Sequence, residues 1–192
     1  MDASDRSPRF DLGDGCELRV LEQGDAQELH RLVEGNRAHL ARWMPWAADQ
    51  TLERTAAFIQ TAQQRLADNN GFEVGIVLDG EIVGAAGFPG VDWIARSTSL
   101  GYWLDEAHQG RGLMTRAVGA LIDHAFGEWE LHRVEIRAAV DNVRSRAIPE
   151  RLGFRQEGVL REAERVGERW HDLVVYGLLA HEPRDSAGER QR

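Results

Sequence analysis

The 192-residue chain has a single cysteine, Cys16. An internal disulfide is therefore excluded, and no Cys/His cluster shows the spacing of a zinc site. Cys16 reads as a small residue entering the first strand, which leaves a covalent acyl-thiol mechanism without an obvious nucleophile. Long apolar runs are missing as well. None approaches the roughly 20 residues that span a bilayer, and MDASDRSPRF lacks the charged-then-apolar order of a signal peptide, so the expected location is cytoplasmic, without a membrane partner. Basic charge is in deficit: a formal net charge of −9 speaks against nucleic acid, whose recognition needs a basic footprint. Internal repeats, low-complexity core segments and linkers long enough to split the chain are absent, and the seven histidines form no ligand spacing.

What is present suits one α/β domain. Hydrophobic residues make up 42% and charged residues 29% of the chain, enough to bury a core behind a solvated surface. The expected boundaries are a loose N-terminus over 1–9, a single domain over 10–181 and a mobile tail over 182–192. Glu17 to Leu21 is expected as the first strand. Asp25-Ala26-Gln27-Glu28 has capping-box spacing and opens a helix carrying Leu29, Leu32 and Val33. Pro45 then bends the chain between Trp43 and Trp46. A second amphipathic helix over Thr51–Asn69 precedes alternating strands at Phe72–Leu78 and Ile82–Phe88, joined by the Asp79-Gly80 hairpin turn. After the central segment come a strand at Val134–Val140, a short helix from Asn142 to Leu152, and two strands, Phe154–Arg161 and Trp170–Leu179, joined at Gly167. Such alternation predicts a sheet with helices on its faces.

The organising stretch is Ser99 to Phe126. Leu100, Tyr102 and Leu104 alternate as a strand. Gly110 and Gly112 bracket Arg111 in a tight turn, and Met114, Val118, Leu121 and Ala125 then repeat with helical spacing. Two glycines let the backbone come close to a ligand. The first amides of the following helix have no partner within it and sit at the positive end of its dipole, which suits phosphate. Arg111 and Arg116 add charge, and Thr115 adds a hydroxyl. The P-loop is ruled out because Leu113 and Met114 stand where Lys and Ser/Thr belong. The dinucleotide fingerprint is ruled out because Thr115 occupies the place of its third glycine.

Gln109-Gly110-Arg111-Gly112-Leu113-Met114 resembles the Gln/Arg-x-x-Gly-x-Gly/Ala acetyl-CoA loop of the GNAT N-acetyltransferases, Met114 departing from the usual small last residue. Asn142-Val143-Arg144-Ser145-Arg146-Ala147 and the run Arg151 to Gly158 resemble that family's second cofactor segment. The resemblance extends from about Glu17 to Leu179 and points to the RimJ/RimL branch of ribosomal-protein N-acetyltransferases. It implies the GNAT fold: a central mixed sheet of about seven strands flanked by helices, splayed between the fourth and fifth strands, here Ser99–Leu104 and Val134–Val140. The pantetheine arm of acetyl-CoA would insert there like an extra strand and satisfy the open backbone groups.

The resemblance also implies roles. Trp103, Leu104, the turn from Gln109 through Thr115, Asn142 and Ser145 would hold acetyl-CoA as co-substrate, with no metal. A backbone N–H near Leu104 would meet the oxyanion. Many relatives place a proton-donating tyrosine five residues before the phenylalanine of Gly-Phe; here that position is Pro149, and Ser145 is the substitute. Glu164 is the suggested base, with Glu162 and Glu157 as rivals. Trp43 and Trp46 would border the acceptor pocket. The implied reaction is acetyl transfer to a primary amine by direct transfer in a ternary complex, most simply to a protein N-terminal α-amine, in a possible homodimer. A small-molecule amine such as an antibiotic or polyamine is the alternative acceptor, and a non-catalytic acyl-CoA sensor is the alternative of another class.

Overall fold

The computed structural model describes residues 7–183. Strands β1 (Arg9–Gly13) and β2 (Cys16–Val20) form a hairpin, followed by helices α1 (Ala26–Leu40) and α2 (Leu52–Ala67). Strands β3 (Phe72–Leu78), β4 (Glu81–Phe88), β5 (Val91–Asp92), β6 (Ser97–Ser99) and β7 (Gly101–Leu104) come next. Helix α3 (Leu113–Gly127), strand β8 (Arg133–Ala139), helix α4 (Val143–Arg151) and strands β9 (Arg155–Val166) and β10 (Arg169–Leu179) complete the order. The expected loose segment over 1–9 overlaps β1 at Arg9, where the guanidinium pairs with Glu17 across the hairpin. The rest of that segment before Ser7, and the tail beyond Pro183, lie outside the described residues.

The strand expected over Ser99–Leu104 is divided between two sheets. One is antiparallel with order β1-β2-β3-β4-β7; the other has order β5-β6-β8-β10-β9, with β6 parallel to β8. Leu100 is the switch: its N–H still reaches the Glu135 carbonyl of β8 at 2.9 Å. Beyond it, the chain pairs only with β4, Gly101 opposite Gly87 and Leu104 opposite Gly84. The expected splay is therefore present, between β7 and the C-terminal half of β8.

Helix α3 crosses one face and buries Leu113, Ala117, Val118, Leu121, Ile122 and Ala125 at i, i+4 spacing. These side chains meet Phe72, Val74 and Ile76 of β3 and Val134 and Ile136 of β8 in one core that spans both sheets. Each fully buried aliphatic side chain contributes about 1.5–3 kcal/mol. The opposite face of the first sheet, with Val77, Ile82 and Ala85, packs against Leu29 of α1 and Ile59 of α2. The α1 start differs from its expected capping box. Asp25 instead accepts the Glu22 N–H and pairs with Arg19, and Glu28 reaches the sheet to accept the Ile82 N–H at 2.7 Å. Tertiary partners outbid the local cap. Among the described residues, no helix is long and apolar enough to cross a membrane.

Leu121 is fully buried in the core that α3 shares with both sheets. Replacing it with Ala should cost about 2–5 kcal/mol. A lower urea midpoint with an unchanged denaturant slope checks this.

Candidate active site

The divergence of β7 from β8 exposes a defined set of backbone groups. In an antiparallel pair the N–H and C=O groups of successive residues point to alternate sides. The Asp105 N–H bonds to the Val83 carbonyl of β4, and the Leu100 N–H bonds to β8. Odd-numbered residues of this stretch therefore face β4, while Tyr102 and Leu104 turn their amides into the gap. Across it, the Val140 N–H faces β10 through the Asp172 carbonyl, so Arg137 and Ala139 face the gap. The Ala139 carbonyl is taken by the Asn142 N–H. The Leu104 side chain is buried in the core; only its backbone addresses the gap.

The glycine turn follows. Gly110 and Gly112 have φ of 78° and 75°, a region that L side chains rarely adopt. A Cβ at either would meet nothing within 4 Å, so the space above the turn is open rather than filled by the protein's own side chains. The first intrahelical bond of α3 runs from the Arg116 N–H to the Gly112 carbonyl, which leaves the amides of Leu113, Met114 and Thr115 without acceptors in the helix. Arg111 is exposed. Arg116 is not available as the sequence suggested: its guanidinium is held by the Leu12 carbonyl at 2.8 Å and by Asp14. Gln109 anchors the turn from below. Its Oε1 accepts from Arg144 of α4 at 2.8 Å, and its Nε2 lies 2.8 Å from His39 Nε2 of α1.

Helix α4 closes the other side. Asn142 is its N-cap, the side-chain oxygen accepting the Ser145 N–H at 3.2 Å. Pro149 lies inside α4 and has no N–H to give the Ser145 carbonyl four residues back. Tyr102 takes that place from β7. Its hydroxyl donates to the Ser145 carbonyl at 3.0 Å and accepts from Ser145 Oγ at 3.3 Å. Burial raises the Tyr102 pKa strongly, with the Ser145 hydrogen bond opposing. A tyrosine thus stands beside Ser145 although the position five before Phe154 is proline.

A cavity of about 710 Å³ runs through this region. Of the residues singled out in the sequence, it gathers Trp43, Trp46, Trp103, Asn142, Ser145 and Glu164. The turn residues Gln109 to Thr115 and Leu104 do not line it. Trp46 and Trp103 approach to 6.1 Å between ring centroids, and Trp43 lies 6.0 Å from the His171 ring. Glu164 lines the cavity at the edge of an irregularity in β9. Between His171 and Leu173 of β10, β9 advances from Glu164 back to Leu160, with Glu162 at φ 48° and its N–H held by Asp172 at 2.8 Å. Burial raises the Glu164 pKa, while His171 opposes. Neither rival carboxylate lines the cavity: Glu157 is fixed by Arg133 and Glu162 is exposed. Cys16 is buried in the core and outside the cavity.

Sequence reasoning missed two groups. Tyr102 was read only as a strand residue. Glu73 of β3 lines the cavity, and burial raises its pKa to about 7, opposed only by Arg65. The available signal was a glutamate on the face of β3 that otherwise carries Gly75 and Val77, turned toward the helices.

Comparison with known proteins follows the same lines. Residues 16–155 match the acetyltransferase (GNAT) domain. YdaF of Bacillus subtilis, provisionally named a ribosomal N-acetyltransferase, is 39% identical over 167 residues, 86% of this chain and 91% of that one. The ribosomal-protein-serine acetyltransferase of Escherichia coli is 29% identical over 169 residues, 88% and 94% of the two chains. Among solved structures, RimL, a ribosomal-protein α-N-acetyltransferase in complex with coenzyme A, superposes with a TM-score of 0.86 at 28% identity, covering 90% of this chain and 98% of its own.

Gly112→Val should abolish the rise in melting temperature given by acetyl-CoA, because valine resists the φ this turn requires. Scanning calorimetry with and without acetyl-CoA checks this; an undiminished rise would remove the turn from the binding site.

Proposed function

The chain belongs to the GNAT acetyltransferase family and is an acetyl-CoA-dependent N-acetyltransferase; from that premise we propose that it acetylates a protein N-terminal α-amine by direct transfer, with donor and acceptor held together at the splay. The reading rests on one observation above all. A single cavity joins an aromatic wall (Trp43, Trp46, Trp103), a half-buried carboxylate (Glu164) and the capped start of α4 (Asn142, Ser145) across the gap between β7 and β8. The names of the Escherichia coli relative and of RimL support a ribosomal-protein acceptor. The reading carries with it a cytoplasmic location.

The diphosphate of acetyl-CoA is assigned to the amides of Gly110–Thr115, and its amide-bearing arm to the open groups of Tyr102, Leu104, Arg137 and Ala139. Holding both reactants in one cleft removes much of the entropic barrier. Glu164, which has His171 as its electrostatic neighbour among the described residues, takes a proton from the acceptor ammonium, directly or through one water. The neutral amine forms a bond to the thioester carbonyl carbon, and the Leu104 N–H faces the oxygen that gains charge. The carbon–sulfur bond then breaks with its electron pair on sulfur. Ser145 Oγ, released from Tyr102, hydrogen-bonds the departing thiolate, and the amine's second proton leaves to solvent or to that sulfur.

Thiol-release assays with N-terminal peptides and small amines, using acetyl-CoA and succinyl-CoA, test the acceptor class. Turnover of small amines but not peptides would overturn the N-terminal reading. Glu164→Gln should lower kcat by about 10²–10⁴-fold while leaving acetyl-CoA stabilisation intact. In the wild type, kcat/KM should fall as pH drops through the Glu164 pKa, because the base is then protonated. Burial raises that pKa, so this acid limb lies above the ordinary carboxylate range, and it should vanish in the variant. A limb unchanged in Glu164→Gln would assign it to another group.

A further inference from the structure

Glu73 has no part in the transfer just described, yet its carboxylate faces the same cavity. Its place is built into the sheet. Glu73 stands opposite Gly87 of β4, and a Cβ at Gly87 would collide with the Phe72 carbonyl and with Glu73 Oε2. The carboxylate thus takes part of the space that a side chain at Gly87 would need. Gly87 in turn stands opposite Gly101 of β7. Two glycines therefore clear the row of the sheet that leads from Glu73 to the splay.

The carboxylate is poorly satisfied by the protein. Its one ionic neighbour among the described residues, Arg65 of α2, stands at 3.7 Å, beyond hydrogen-bond reach. The two arginines that line the cavity, Arg54 and Arg137, are engaged elsewhere. Arg54 donates to the Asp49 carbonyl at 2.9 Å, and Arg137 pairs with Glu135 at 2.7 Å. The lining also includes Phe58 and Thr55 of α2 and Pro89; Thr55 Oγ1 already donates to the Thr51 carbonyl. The remaining charged group of the lining, Glu164, is a second carboxylate. A buried ionised carboxylate is costly unless paired, and the group that meets the deficit best is a cation.

We propose that Glu73 is a specificity determinant that receives a second positively charged group of the acceptor, a few bonds from the amine that is acetylated. The inference rests on the acceptor entering the cavity as an amine, as in the proposed function. For an N-terminal peptide the second charge is a basic side chain near the N-terminus. Burial raises the pKa of Glu73 to about 7, against the opposing pull of Arg65, as expected of a carboxylate that its surroundings pair poorly. The overall charge of −9 favours the approach of such an acceptor.

The test uses tetrapeptide amides with an N-terminal alanine in which one lysine is walked from the second to the fourth position, each matched to a norleucine peptide of equal stem length. Binding to the complex with coenzyme A is measured by calorimetry, and kcat/KM by thiol release. At one lysine position the wild type should prefer the charged peptide by about 10- to 100-fold. Glu73→Gln should erase that preference and leave the norleucine peptide unchanged. Arg65→Met, which removes the competing cation, should enlarge it. Equal losses for both members of every pair in Glu73→Gln, or no charge preference at any position in the wild type, would overturn the proposal. The calorimetric preference does not depend on turnover, so a preference without acetylation would refute the N-terminal transfer reading and leave the role of Glu73 standing.

Discussion

One strand cannot serve two diverging sheets, and the structure turns on where it stops trying. Up to Leu100 the chain from Ser97 pairs with β8; from Gly101 it belongs to β4. The amides of Tyr102 and Leu104 on one side, and of Arg137 and Ala139 on the other, are left in a gap. A backbone group kept dry and unpaired costs about 1–3 kcal/mol. The gap is therefore wet or filled by something with amides of its own. The common core beneath α3 holds both sheets in place, so the gap cannot close by collapse.

Polar bonds across this region also tie its two sides together. Gln109 joins α1 through His39 and α4 through Arg144, and Tyr102 joins β7 to Ser145. The glycine turn, the helix that precedes the aromatic segment and the start of α4 are thereby parts of one bonded frame. The arginines in and around the cavity are spent on internal partners. Its carboxylates are held more loosely: among the described residues Glu73 has Arg65 at 3.7 Å and Glu164 has His171 beside it.

Much of this was legible in the residues. The alternation in Phe72–Leu78 and Ile82–Phe88, the Gly110–Gly112 turn and the motif beginning at Asn142 located the sheet, the turn and α4, because each depends on local periodicity or on a conformation only glycine favours. The division of Ser99–Leu104 between two sheets was not visible, since both halves alternate alike. Nor was the loss of Arg116 to Leu12 and Asp14, a contact across more than a hundred residues. Tyr102 became recognisable only once Pro149 was seen to free a carbonyl in α4. Glu73 carries no local signal of its own, because its burial comes from α2 and from Gly87 on the neighbouring strand. The strand of Arg9–Gly13 escaped because its polar residues face water along an edge.

The irregularity in β9 has its own bearing on how such a site is tuned. Where β10 advances two residues, β9 advances four. An even surplus returns the strand to the same parity, so inward positions stay inward on both sides of the loop-out. The looped-out residues 161–163 can therefore grow or shrink by a pair while Glu164 stays opposite His171 and Leu160 opposite Leu173, with no neighbour in the ladder turned from oil to water. Reach over the cleft and integrity of the sheet are thus separately adjustable quantities in this chain.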